Sequence, residues 1–207
     1  MSSGTQERVG YWAEAGDVFF GRGTTVLARL IRWGEGSGSW TNHMGVVVGS
    51  GWLVPPPGVG GPLAGVVEAL WKVYDGPWWP EHRDEYEGAG FRVRVFRHVP
   101  GPTPTQLDAF VRRARSYDGD TYGWWKLLGF LAKRLTHVDV PALFFVDSRP
   151  ICSYLAAEVC AAVGWGFGTV PQAVDPAGAE AWCEAHPVGR PGPDGAWAEV
   201  FEAGEAS

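Results

Sequence analysis

Hydrophobic and polar residues along the first half of the chain are arranged in a pattern that predicts four β-strands. Valine-rich stretches at residues 42–49 and 65–71, and alternating apolar and basic residues at 91–96, indicate three of them. A turn leads into a shorter buried strand that ends near residue 21. Strands 42–49 and 65–71 can pair as neighbours across the intervening segment, and the arginines of strand 91–96 predict one solvent-exposed face.

Other segments show the helical period, with apolar residues three or four positions apart. These segments are residues 24–33, 103–114, 124–131, 150–159 and 177–186. We expect a loop at residues 50–65, which are rich in glycine and proline, and an irregular segment at 74–90. Helices and strands together indicate an α+β fold.

Length and composition favour a single domain. The chain has 207 residues, of which 45% are hydrophobic, enough for one substantial core but short for two. We expect a domain at residues 13–186, a flexible N-terminus at 1–12 and a surface tail at 187–207. No signal peptide or transmembrane segment is recognisable, so the expected location is the cytoplasm, with delivery by another route left open.

Charge and cysteine content bear on the partners. A net charge of −6, without clusters of lysine and arginine, argues against nucleic acid. The three cysteines form neither a CxxC pair nor a zinc spacing with histidine, so we expect no metal site. Cys152 and Cys160 lie on one predicted helix, about 12 Å apart along its axis, which is too far for a disulfide.

Cys152 is the strongest candidate for chemistry. Pro150 suits the first position of a helix, and Asp147 or Ser148 can cap it, which places Cys152 in the first turn. There the positive end of the helix dipole favours a thiolate, the form of cysteine that attacks carbonyl carbon. The structural alternative is a buried cysteine in a core helix.

A thiol nucleophile needs a base and a group that orients the base. Of the five histidines, His43 alone lies at the edge of a well-defined predicted strand, where a rigid backbone can aim it. A register that opposes His43 to Glu68 makes Glu68 the natural orienting group, because a carboxylate in an otherwise apolar strand needs a partner. Each residue alone also fits an ordinary structural role, so the hypothesis depends on the combination.

Five short motifs follow one another in an informative order. They are GDVFF at residues 16–20, LIRW at 30–33, NHMGVVV at 42–48, VVEA at 66–69 and ICSYLAAE at 151–158. This succession resembles the circularly permuted NlpC-type papain-like enzymes, the YiiX/YaeF-like group, in which the histidine strand precedes the cysteine helix. The resemblance implies a small antiparallel sheet packed against that helix, with Cys152 as nucleophile, His43 as base and Glu68 as orienting residue.

The resemblance also implies an activity. The expected function is thiol hydrolysis of an amide bond, or of an ester or thioester, without a cofactor, on cell-wall peptides or on acyl groups of lipids. Asn42 stands where a serine commonly precedes the histidine, and Tyr154 where the family often has an acidic residue, which leaves the substrate open.

Two other hypotheses compete with this one. A non-catalytic binding or virion-structural module that retains the papain-like fold predicts an inert thiol. A serine hydrolase using Ser153 is disfavoured, because no GxSxG motif surrounds that residue.

Overall fold

The computed structural model describes residues 10–23, 29, 41–70, 72–86, 90–121, 123 and 151–204. Within these residues the strands are β1 (Tyr11–Ala13), β2 (Val18–Arg22), β3 (His43–Gly49), β4 (Gly51–Val54), β5 (Gly65–Ala69), β6 (Val73–Pro77), β7 (Arg92–Val99) and β8 (Ala196–Gly204). The helices are α1 (Trp78–Tyr86), α2 (Pro104–Arg115), α3 (Cys152–Ala161) and α4 (Pro176–Ala185).

Six of the strands form one antiparallel sheet in the order β6-β5-β3-β2-β7-β8. Strands β1 and β4 pair separately, also antiparallel. Val46 and Val47 at the centre of β3 are both fully buried, and consecutive residues of a strand point to opposite faces. The sheet is therefore covered on both faces, which explains why its central strands are continuous apolar runs.

Each face of the sheet has its own hydrophobic core. One core contains Met44 and Val46 of β3 together with Leu155 of α3. The other contains Phe19 and Val47 together with Trp78 of α1. The predicted α+β class with an antiparallel sheet is confirmed, and α3 packs against the sheet as expected.

The helices flanking the first core begin as the sequence suggests, with one change. Thr103 caps α2 in a capping box with Gln106. Helix α3 begins at Cys152, with Ile151 at the N-cap, two residues later than a start at Pro150. Cys152 still occupies the first turn, as predicted. Asp147, Ser148 and Pro150 lie outside the described residues, as do the predicted helices at 124–131 and nearly all of 24–33.

Two segments expected to be irregular contain regular structure. The stretch 50–65 includes β4, which pairs with β1, and the stretch 74–90 includes most of β6 and all of α1. Both were missed because strands of four or five residues and a nine-residue helix are too short to display a clear period. Pro80 lies in the first turn of α1, where a proline does not interrupt helical hydrogen bonds.

The segment 187–207, expected to be a surface tail, contains strand β8 at Ala196–Gly204. Strand β8 pairs with β7 along its whole extent and buries Trp197. At the other end, β1 begins at Tyr11, within the segment expected to be flexible. Regular structure is therefore present on both sides of residues 13–186. Local sequence does not reveal it, because edge strands gain their stability from tertiary pairing.

The prediction that strand 91–96 has a solvent-exposed face is wrong, because Arg94 is buried. Its guanidinium donates to Glu199 of β8 with a nitrogen–oxygen distance of 2.9 Å, and to Glu180 and Glu184 of α4. Strand β8 and helix α4 come from the distant end of the chain, so the pattern of β7 alone could not show that they cover this face.

Among the described residues, no helix is both long and apolar enough to cross a membrane.

Replacing Arg94 should cost far more stability than replacing an exposed arginine. Arg94→Met removes the cation beside the buried Glu180 carboxylate, and we expect a loss of about 3 kcal/mol in the free energy of unfolding. Arg112→Met is the control, since Arg112 and its partner Asp108 are both exposed, and it should cost less than about 1 kcal/mol. Denaturant titration measures both, and equal losses would contradict the burial argument.

Candidate active site

Three secondary-structure elements converge at one end of the sheet. His43 is the first residue of β3, Glu68 lies near the end of β5, and Cys152 is the first residue of α3. By strand alternation, His43 and Glu68 belong to the face that packs against α1, whereas α3 packs on the opposite face. The cysteine can meet the histidine only where the sheet ends, and the three residues are brought together there.

The strand register differs from the predicted one by two residues. Glu68 lies opposite Gly45 rather than opposite His43. A two-residue shift keeps both side chains on the same face, so the carboxylate reaches His43 diagonally, with 2.6 Å between Glu68 Oε2 and His43 Nε2. Glycine is needed at position 45, because a Cβ there would lie 2.5 Å from the Phe19 ring and 2.9 Å from Glu68 Cβ.

Cys152 is in contact with the imidazole of His43. A hydrogen bond joins the two side chains, and because Nε2 of His43 is engaged by Glu68, Nδ1 is the nitrogen that faces the sulfur. The backbone amides of Met44 and Ser153 also donate to the Cys152 sulfur. These donors favour the thiolate over the thiol.

Two opposing influences act on the pKa of each group in the site. Burial favours the neutral form, and the contacts with neighbouring groups favour the charged form. Burial favours the neutral thiol, but the hydrogen bond and positive charge of His43 lower the pKa of Cys152. Burial likewise acts against a charged imidazole, but the contacts with Cys152 and Glu68 raise the pKa of His43 to about 10. Burial would raise the pKa of Glu68, yet the nearby charge of His82 and the hydrogen bonds of both histidines lower it to about 2. The contacts within the site therefore favour the charged form of each group, a thiolate at Cys152, an imidazolium at His43 and a carboxylate at Glu68.

The remaining cysteines and Ser153 do not share this environment. Burial raises the pKa of the Cys160 thiol and of the Cys183 thiol, which favours the neutral thiol over the thiolate in both. Ser153 is buried, and its hydroxyl has no hydrogen-bond partner in the described part of the chain. No described residue is hydrogen bonded to the Ser153 hydroxyl in a way that would activate it as a nucleophile.

Sequence reasoning missed a fourth member of the site, His82. Its Nε2 lies 2.7 Å from Oε1 of Glu68, and its ring stacks on Trp78 with 5.0 Å between centroids. His82 was assigned to an irregular segment, so no pattern pointed towards Glu68. The only available signal was the four-residue spacing from Trp78 to His82, which places the two on one face of a helix once α1 is known.

Other histidines have structural partners. His98 hydrogen bonds to the carbonyl oxygens of Pro100 and Asp194, and His186 to that of Trp182. His137 lies outside the described residues.

Comparison with known proteins supports the fold. No protein-family profile matches the chain, and no curated protein is significantly similar to it in sequence. Among solved structures, the chain is similar to the crystal structure of the metalloprotein YiiX from Escherichia coli O157:H7, with a TM-score of 0.52 and 19% identity over 75% of this chain and 69% of that one. At this level of identity the similarity shows a YiiX-like fold and nothing finer.

Across the described ranges, no group of three or more histidine, cysteine, aspartate or glutamate side chains has an arrangement that could hold a metal ion. The four side chains at the end of the sheet are hydrogen bonded to one another instead.

Cys152 should be alkylated by iodoacetamide at pH values well below the ordinary thiol pKa of about 8.5, because His43 stabilises its thiolate. Mass spectrometry resolves the rate at each cysteine, and Cys160 and Cys183 serve as internal controls. His43→Ala should remove the advantage of Cys152. Because Cys152 is buried, a slow reaction could also mean that the reagent does not reach the sulfur. The ultraviolet absorbance of the thiolate, compared between the parent and Cys152→Ala, measures ionisation without that complication. A Cys152 that ionises only near the ordinary pKa would contradict the assigned protonation states.

Proposed function

We propose that this chain, whose fold is YiiX-like, is a thiol hydrolase of the permuted papain-like, NlpC type that cleaves amide bonds. Esters and thioesters are further candidate substrates, since the same attack on a carbonyl applies to them. The observation that carries the proposal is the hydrogen-bonded series from Cys152 through His43 to the buried Glu68. This series supplies a nucleophile, a proton carrier and an orienting carboxylate in contact with one another.

In the first proposed step the Cys152 thiolate attacks the carbonyl carbon, and a carbon–sulfur bond forms. The negative charge that develops on the carbonyl oxygen needs hydrogen-bond donors. Amides in the first turn of α3 meet this need, because helix geometry leaves them without acceptors inside the helix. The positive end of the helix dipole acts in the same direction.

In the second step the carbon–nitrogen bond breaks, and the His43 imidazolium gives its proton to the departing amine. Water then attacks the carbonyl carbon of the acyl-cysteine while His43 accepts a proton from that water. A carbon–oxygen bond forms and the carbon–sulfur bond breaks, which releases the acid and restores the thiolate. Glu68 keeps the proton of Nε2 in place, so that Nδ1 is the nitrogen that exchanges protons. No step of this reaction uses a metal ion.

The substrate proposal remains at the level of chemical class. Cell-wall peptides and lipid-derived acyl groups both contain bonds of the required type. The Trp78 ring is not available to line a substrate groove, because it is 1% exposed and packs against Phe19 and Phe91 in the core. Trp79 beside it is partly exposed. Trp40, Trp124 and Trp125 lie outside the described residues.

Acyl transfer to Cys152 tests the proposal directly. Incubation with activated acyl esters and with aminoacyl anilides should give an intact mass increased by one acyl group, located on Cys152 by peptide mapping. Cys152→Ala should lower turnover by about a thousandfold or more, because the residues of such a site act as a unit.

Cys160→Ala is the matched control for this experiment, since it alters a buried cysteine of the same helix that lies outside the site, and it should retain activity. A parent protein that is neither acylated nor active on any of these substrates would favour the non-catalytic binding module.

A further inference from the structure

We infer that His82 is a positioning residue of this site, which holds the Glu68 carboxylate so that its other oxygen faces His43. This inference depends on the proposed function for its chemical meaning. It extends the site from three residues to four and gives α1 a role in it.

The first argument is the geometry of the carboxylate. Glu68 is fully buried, and its two oxygens are engaged by different histidines, Oε1 by His82 at 2.7 Å and Oε2 by His43 at 2.6 Å. A buried carboxylate held on one oxygen alone can rotate about its last torsion or accept a proton. Engagement of both oxygens removes that freedom and fixes the direction in which Oε2 points.

The second argument is the rigidity of His82 itself. Its ring is 28° from parallel with that of Trp78, which is buried and packs edge-on against Phe19. The Phe19 ring in turn lies 6.2 Å from that of His43. Both histidines are thus supported by the same aromatic cluster, so their separation is set by core packing rather than by flexible side chains.

The third argument is electrostatic. Among the described residues, the titratable side chains around Glu68 come from three elements. They are His43 of β3, His82 of α1 and Tyr74 of β6, and Tyr74 lies opposite Glu68 in the strand register. Burial acts to raise the pKa of Glu68, and the charge of His82 is the strongest of the influences that lower it. Without His82, Glu68 should take up a proton at higher pH, and a neutral Glu68 no longer stabilises the His43 imidazolium.

Three variants of His82 separate the hydrogen bond to Glu68 from the packing against Trp78. His82→Phe keeps an aromatic ring against Trp78 and removes the donor. His82→Gln keeps a donor at the position of Nε2 and removes the ring. His82→Asn carries the same amide as the glutamine variant but is one methylene shorter, so it cannot reach Oε1. Thermal unfolding identifies the variants that remain folded.

The measured quantity is the rate of Cys152 alkylation as a function of pH, on the acidic side of the curve. The ultraviolet absorbance of the thiolate is recorded in parallel. In His82→Phe we expect the rate at about pH 5 to fall about tenfold, equivalent to a rise of about one unit in the apparent pKa, with little change at alkaline pH. His82→Gln should stay within about threefold of the parent, whereas His82→Asn should behave like His82→Phe. If the phenylalanine variant does not fold, the Gln and Asn pair makes the same comparison.

The outcomes distinguish this inference from the proposed function. Suppose that Cys152 of the parent is alkylated at low pH and that this reactivity depends on His43. If His82→Phe and His82→Asn then give the same rates as the parent, the role of His82 is overturned and the hydrolase proposal is unaffected. Equal shifts in the Gln and Asn variants would also overturn it, since the donor would then make no difference. A parent without any low-pH thiolate would contradict the proposed function instead.

Discussion

The structure of this site depends on one costly feature, a carboxylate with no exposure to solvent. Glu68 has to remain charged if it is to stabilise His43, and a buried charge is tolerated only when its oxygens have hydrogen-bond partners. That requirement accounts for several otherwise unrelated details. Position 45 is a glycine, which leaves room for Glu68 beside Phe19. Helix α1 follows β6 directly and places a histidine above the strand that carries Glu68.

The position of the site follows from the two cores. The histidine and the carboxylate lie on the face covered by α1, while the cysteine lies on a helix that covers the other face. Side chains from opposite faces of a sheet can meet only beyond its end, and β3 begins and α3 begins at the same end. The first two residues of β3 show this arrangement. The His43 side chain and the backbone amide of Met44 both contact the Cys152 sulfur. Each core can then pack tightly without containing the reactive groups.

Local sequence was sufficient to predict those features that depend on residues close together in the chain. The valine-rich β3 and β5, the Thr103 cap of α2 and the place of Cys152 in the first turn of α3 could all be predicted. The sequence also predicted Cys152, His43 and Glu68 as one group, and the structure brings these three side chains together. Features that depend on distant parts of the chain were missed. Glu199 of β8 and Glu180 of α4, both more than 80 residues away in sequence, pair with Arg94. In the register of β3 and β5, Gly45 lies opposite Glu68, where a larger residue would not fit. His82 reaches Glu68 only because α1 folds over the sheet.

The central claim is that Cys152 and His43 form a thiolate–imidazolium pair at neutral pH. Nuclear magnetic resonance of histidine-labelled protein reports the protonation state of the His43 ring directly, in the parent and in Cys152→Ala, with His43→Gln used to assign the signal. The account predicts that His43 remains an imidazolium well above its ordinary pKa of about 6.5 in the parent, and that it loses its proton at lower pH in Cys152→Ala. A His43 ring that is neutral at pH 7 in the parent, or that titrates identically in the two proteins, would contradict it.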